Sequence, residues 1–202
     1  GYLNTYYTIK EPDKRWTNLR ENHELYCAGH FIEAAVAYYE ATGKDELLKV
    51  VCKFADHIDS IFGPEENKKK GYPGHEEIEL ALIKLYKVTS EKRYLDLAKY
   101  FIEERGKEPH YFTQEATERG DDPLLHWGMW DHTYSQCHKP VREQTTAIGH
   151  SVRAVYLYTA LADLVLETDD KKLLDVCEKL WDSAVNRQMY ITGAIGSQEY
   201  GE

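Results

Sequence analysis

The sequence predicts an all-α protein, an α/α toroid built from helical hairpins. Three observations predict it. Apolar residues recur at helical spacing from about residue 22 onward. One helix–turn–helix pattern occurs three times, as "AYYEATGKDELLKVV", "KLYKVTSEKRYLDLA" and "DLVLETDDKKLLDVC". Each copy ends an apolar helix, turns at a threonine (Thr42, Thr89, Thr168) and starts another helix. Finally, three Gly-His pairs, Gly29-His30, Gly74-His75 and Gly149-His150, each open a stretch rich in Ala, Leu, Val and Tyr. An open solenoid is also made of hairpins, but it tends to keep its period. Here the turn threonines lie 47 and then 79 residues apart, and a His-rich insertion fills the wider gap. Long insertions on one face suit a closed toroid.

Taken in order, the opening "GYLNTYYTIKEPDKRW" is irregular and aromatic. Helices are expected over residues 24–41 and 44–62, with Asn22 as N-cap of the first and Gly63 as a stop for the second. A second hairpin is expected from helices 74–88 and 91–105, stopped by Gly106. Residues 106–143 are rich in His, Trp, Asp, Pro and Gly and read as a long functional loop. Helices 144–167 and 170–188 make the third hairpin. In all three, Thr followed by Gly, Ser or Asp and then charged residues gives a tight turn with good capping chemistry. The tail "NRQMYITGAIGSQEYGE" reads as a loop whose backbone approaches something closely.

The 202 residues suffice for one domain with a real core. A net charge of −10 argues against nucleic acid or an anionic membrane as partner. No run reaches the roughly 18 apolar residues of a membrane span. Sixteen Tyr and four Trp fit a packed core, and also sugar stacking. Cys27, Cys52, Cys137 and Cys177 are far apart with no C-x-x-C pair. They point to a reducing compartment. With no signal-peptide pattern, the expectation is a bacterial cytoplasmic location.

In a toroid the inner helices run roughly parallel, so their N-termini gather at one face. His30, His75 and His150 hold equivalent places in three hairpins and are expected to meet in one funnel. A helix N-terminus disfavours an imidazolium. Neutral imidazoles, each with a donor and an acceptor, suit sugar hydroxyls. Capping or core-polar roles, or a three-histidine zinc site, are the alternatives; no H-x-x-x-H or H-E-x-x-H is present. Tyr72, Glu76, Trp127, His132, His138 and Gln144 are further candidates for the pocket wall.

Together, "GYLNTYYTI", "KRWTNLRENHELYCAGHFIEAAVAYYEATGK", "GYPGHEEIELALIKLYKVT", "KPVREQTTAIGHSVRAVYLYTALADL" and "MYITGAIGSQEYGE" resemble glycoside hydrolase family 127, the β-L-arabinofuranosidase family. The likeness runs the length of the chain. It implies an (α/α)6-barrel catalytic domain and retaining removal of non-reducing terminal L-arabinofuranose from β-linked glycosides. It also implies that His30, His75 and His150 bind sugar hydroxyls and that Glu202 of the Tyr-Gly-Glu motif is the general acid/base. The chain departs from the pattern at Gly193-Ala194, where the family has two glycines.

The family's nucleophile is a zinc-bound cysteine, held with a Glu and two further cysteines from a Glu-x-Cys motif and a Cys-Cys pair. Neither motif is in this chain, so no metal ligand is assigned to it. The resemblance therefore implies the middle of a longer domain. Alone it is expected to be inactive, and to associate with itself or with the rest of the domain. An α/α-barrel sugar epimerase or isomerase, and a non-catalytic carbohydrate-binding helical repeat, are the other function classes.

Overall fold

The computed structural model describes residues 1–122 and 132–196. Two layers of helices follow from the three hairpins. Helices α2 (Glu24–Thr42), α4 (Ile78–Thr89) and α7 (Ser151–Thr168) pack side by side, α2 on α4 and α4 on α7. Each is backed by its hairpin partner: α3 (Glu46–Ile61), α5 (Lys92–Glu104) and α8 (Lys171–Trp181). The partners are amphipathic, α3 burying Leu48, Val51, Phe54, Ala55 and Ile58 at helical spacing. By contrast α4 buries six consecutive residues, Ile78 to Ile83, and packs against α2, α5 and α7.

The three turns are built alike. Each threonine hydroxyl donates to the carbonyl four residues back: Thr42 to Tyr38 at 2.6 Å, Thr89 to Leu85 at 2.7 Å and Thr168 to Leu164 at 2.6 Å. The next residue takes the left-handed conformation, with φ of 70° at Gly43, 59° at Ser90 and 54° at Asp169. Its N–H returns to the last helical turn, and the chain reverses.

Several boundaries differ from the expectation. The first helix is preceded by His23, not capped by Asn22. α4 starts at Ile78 rather than at 74, and α7 at Ser151 rather than at 144. α8 gives way after Trp181 to a π-helical stretch, Asp182–Gln188. The expected loop 106–143 contains α6 (Tyr111–Arg119) and a 3-10 turn at Val141–Glu143. Within the opening segment lies a short helix, α1 (Thr5–Ile9). Buried acids tie this segment down: Trp16 N–H donates to Glu24 at 2.9 Å and Leu19 N–H to Glu115 at 2.7 Å. No described helix is long and apolar enough to cross a membrane.

Candidate active site

Three pieces of backbone bring the site together. His23, Tyr26 and His30 share one face of α2 and its N-terminal flank, at spacings of three and four. His75 stands in the turn before α4, and His150 is the N-cap of α7. Their rings meet. Tyr26 lies 4.4 Å from His30 and 4.5 Å from His75 between ring centroids. His75 lies 5.9 Å from His150, and Tyr156 of α7 reaches both His75 at 5.7 Å and His30 at 6.0 Å. The three histidines thus share one imidazole–tyrosine cluster. They do not occupy equivalent places, however: His30 is in the second turn of its helix, His75 before one, His150 at a cap.

The glycines beside them serve different ends. A Cβ at Gly29 would come 1.4 Å from Glu77 Oε2, so this glycine lets α2 close on the start of α4. Gly149 has φ +85°, and a Cβ there would meet the Thr133 carbonyl oxygen at 1.9 Å. The 132–136 loop packs there against the entry to α7, where His150 N–H donates to the Tyr134 carbonyl at 3.2 Å.

Backbone contacts set the tautomers. His75 Nδ1 lies 2.8 Å from the Glu76 carbonyl oxygen, which only accepts, so Nδ1 carries the proton and Nε2 is left an acceptor. His150 Nδ1 accepts from the Arg153 N–H at 3.4 Å, so its proton is on Nε2, a donor. Two neighbouring rings therefore carry their protons on opposite nitrogens. Burial, together with nearby Arg153, His23 and His150, pulls the His75 pKa down to about 3. The ring stays neutral at any working pH.

That shift has a consequence for stability. Between about pH 3 and the ordinary histidine value of about 6.5, the unfolded chain takes up a proton that the folded protein refuses. This contribution is complete above the unfolded value and is lost as pH falls toward about 3. Urea midpoints at pH 7 and pH 5 should therefore differ less in His75→Gln than in the parent protein.

Beneath the cluster lies a buried ionic network. Arg105 has no exposed surface and sits 3.0 Å from Glu76 and 3.1 Å from Glu79, themselves fully buried. It donates to the carbonyls of Ser135 and Pro73, each at 2.8 Å, and lies over the Tyr72 ring at 4.9 Å. One guanidinium between two carboxylates does not neutralise both, and burial pushes Glu76 up to about 8 despite it. Arg153 ties the same loops from the other side, donating to the Gly74 carbonyl and, at 3.3 Å, to Ser135 Oγ.

Tyr72, Glu76 and Gln144, expected in the pocket wall, are instead packed away beneath it. Gln144 is buried and bonds the Gln136 carbonyl at 2.7 Å. His132 stacks on His110 with centroids 3.6 Å apart, and His138 is half-buried in the same loop. Trp127 and Glu202 lie outside the described residues. Sequence reasoning missed His23, Tyr26, Arg153 and Tyr156. The signal for the first two was present, since helical spacing puts them on the His30 face.

The four thiols, to which the sequence assigns no metal role, are dispersed. Cys27, Cys52 and Cys177 sit on three different helices, and Cys137 is buried with its sulfur 3.9 Å from His132 Nδ1, its pKa raised by that burial to about 11. His30, His75 and His150 do not bring one ligand atom each within 4.8 Å of the other two. Among the described residues, the group whose ligand atoms do converge is His30, Glu33 and Glu77.

Residues 1–202 match the GH127 catalytic domain of β-L-arabinofuranosidases. The chain belongs to glycoside hydrolase family 127. A non-reducing end β-L-arabinofuranosidase of Bifidobacterium longum subsp. longum is 46% identical over the whole chain, which spans 32% of that relative. The crystal structure of Ara127N-Se, a GH127 β-L-arabinofuranosidase from Geobacillus stearothermophilus T6, is 56% identical with a TM-score of 0.95. It is matched over 99% of this chain and 31% of its own. The GH127 β-arabinofuranosidase BT3674 is 40% identical with a TM-score of 0.85, over 99% and 30% of the two chains. The GH127 chain described here thus spans about a third of the length of these relatives, and its hairpins are part of an α/α toroid.

Proposed function

We propose that the protein is a glycoside hydrolase that removes non-reducing terminal L-arabinofuranose from β-linked glycosides with retention. In this reading His30, His75 and His150 bind the sugar. The observation that carries it is the joining of these three imidazoles, from distant parts of the sequence, into one tyrosine-lined cluster with the central His75 ring neutral. A furanose presents hydroxyls that both donate and accept. His75 Nε2 accepts from one of them, while Tyr26 and Tyr156 exclude water beside it. Glu202 is the general acid/base: its carboxyl protonates the departing glycosidic oxygen, then takes a proton from the water that completes the reaction.

The second catalytic group of a retaining enzyme is not among this chain's residues. The family's zinc–thiolate would supply a nucleophile, but the four cysteines here do not fit that set, and no step is drawn through it. Arabinose release is therefore the work of the full-length protein, and these 202 residues by themselves are inactive. They associate with themselves or with the remaining hairpins.

Incubating the full-length protein with a β-L-arabinofuranoside should release L-arabinose of retained configuration, and the protein should leave free L-arabinose unchanged. Interconversion of free sugars without glycoside cleavage would transfer the site to the epimerase class. Turnover by the 202-residue chain alone would place the nucleophile within it.

A further inference from the structure

His30 Nδ1 lies 3.4 Å from Glu77 Oε1 and 3.9 Å from Glu33 Oε2. One ligand atom from each of the three residues falls within 4.8 Å of the other two. Two elements fix the arrangement: His30 and Glu33 are one turn apart on α2, and Glu77 immediately precedes α4. Glu77 has no exposed surface, and neither of its carboxyl oxygens receives a hydrogen bond. A buried carboxylate in that condition carries a large desolvation penalty unless a proton or a cation satisfies it. Gly29, which keeps its Cβ space clear for this carboxyl, holds the group in place.

The spacing points to a cation. Ligands about 2.0–2.2 Å from a tetrahedral zinc ion stand about 3.4 Å from one another, which is the His30–Glu77 separation. We propose that His30, Glu33 and Glu77 form a binding site for a zinc-like divalent cation between α2 and α4. The site is distinct from any thiolate centre and does not depend on the glycosidase reading. Lys84 pairs with Glu33 through Oε1, which leaves Oε2 for the ion. A cavity of about 500 Å³ lined by His30, Glu33, Ala37 and Lys84 gives the ion a way in and leaves room for a water as fourth ligand. Without the ion, a proton on Glu77 satisfies its carboxyl, and binding expels that proton as Glu77 takes the metal. Coordination through Nδ1 makes His30 Nε2 an N–H donor. The cation would thereby set the tautomer of one ring in the imidazole–tyrosine cluster.

Calorimetric titration of zinc into the metal-stripped 202-residue chain tests this. The expected result is one ion per chain, with proton release seen as a heat that depends on the buffer's ionisation enthalpy. Zinc should also raise the melting temperature. Glu77→Gln mimics the protonated carboxyl, so it should fold normally. It should lose more affinity than the about 10- to 100-fold cost of removing an outer-shell partner. Glu33→Gln gives the same comparison should Glu77→Gln fail to fold by circular dichroism. Cys27→Ser, which removes the exposed thiol of α2, should bind as the parent does. Absence of stoichiometric binding, parental affinity in both glutamine variants, or loss of binding in Cys27→Ser would each overturn the proposal.

Discussion

Replacing Arg105 with methionine is expected to lower the free energy of unfolding by about 3–5 kcal/mol. Methionine fills much of the same volume, so packing is not the main loss. What disappears is the guanidinium between Glu76 and Glu79, which leaves two fully buried carboxyls side by side. The carbonyls of Pro73 and Ser135 lose their donors as well. Burial already raises the Glu76 pKa to about 8, so protonation relieves part of the damage in acid. The deficit should accordingly be larger at pH 8 than at pH 5 in urea denaturation. Adding Glu79→Gln should recover a large share, because one fewer buried charge then lacks a partner. Equal deficits at the two pH values would mean that packing, not charge, explains the loss. Pro73 and Ser135 flank the loops that carry His75 and Tyr134, so the ionic network also sets where those rings stand.

His75→Ala in the full-length protein should cut kcat/KM for a β-L-arabinofuranoside by about 100-fold, or about 2.7 kcal/mol. This is the upper part of the range for one hydrogen bond to a buried polar partner. The ring sits centrally, touching Tyr26, His150 and Tyr156. Its Nδ1 is committed to the Glu76 carbonyl, so Nε2 is the ring's remaining acceptor and the atom the proposed sugar contact would use. The melting temperature should hold near neutral pH, because the lost ring is half-buried and its desolvation works against folding only in acid. Parallel collapse of stability and activity would identify His75 as a structural residue. His75→Gln, which keeps an acceptor, should retain more activity than alanine does.

Much of this could be read from the residues in order. The three Thr turns were legible because each is local: a hydroxyl returning to the previous helical turn and a left-handed residue after it need no distant partner. The meeting of His30, His75 and His150 was legible at the level of topology, since inner helices of hairpins run together. Their exact stations were not. Glycine before histidine looks the same in all three motifs, yet Gly29 makes room for Glu77 inside a helix while Gly149 turns the chain with a positive φ. Glu76 illustrates the limit: a carboxylate beside His75 reads as a pocket residue until Arg105, from another hairpin, is found against it.

By itself the sequence determined the hairpin architecture, the family and the set of imidazoles, because helical period, turn chemistry and long ordered motifs are written along the chain. Only the tertiary structure decided which polar groups face the cavity, which are buried as ion pairs, and that His30, Glu33 and Glu77 converge. The physical reason is that burial and charge compensation depend on what packs opposite, and for Glu77 the opposing surface is a helix more than 30 residues earlier in the chain.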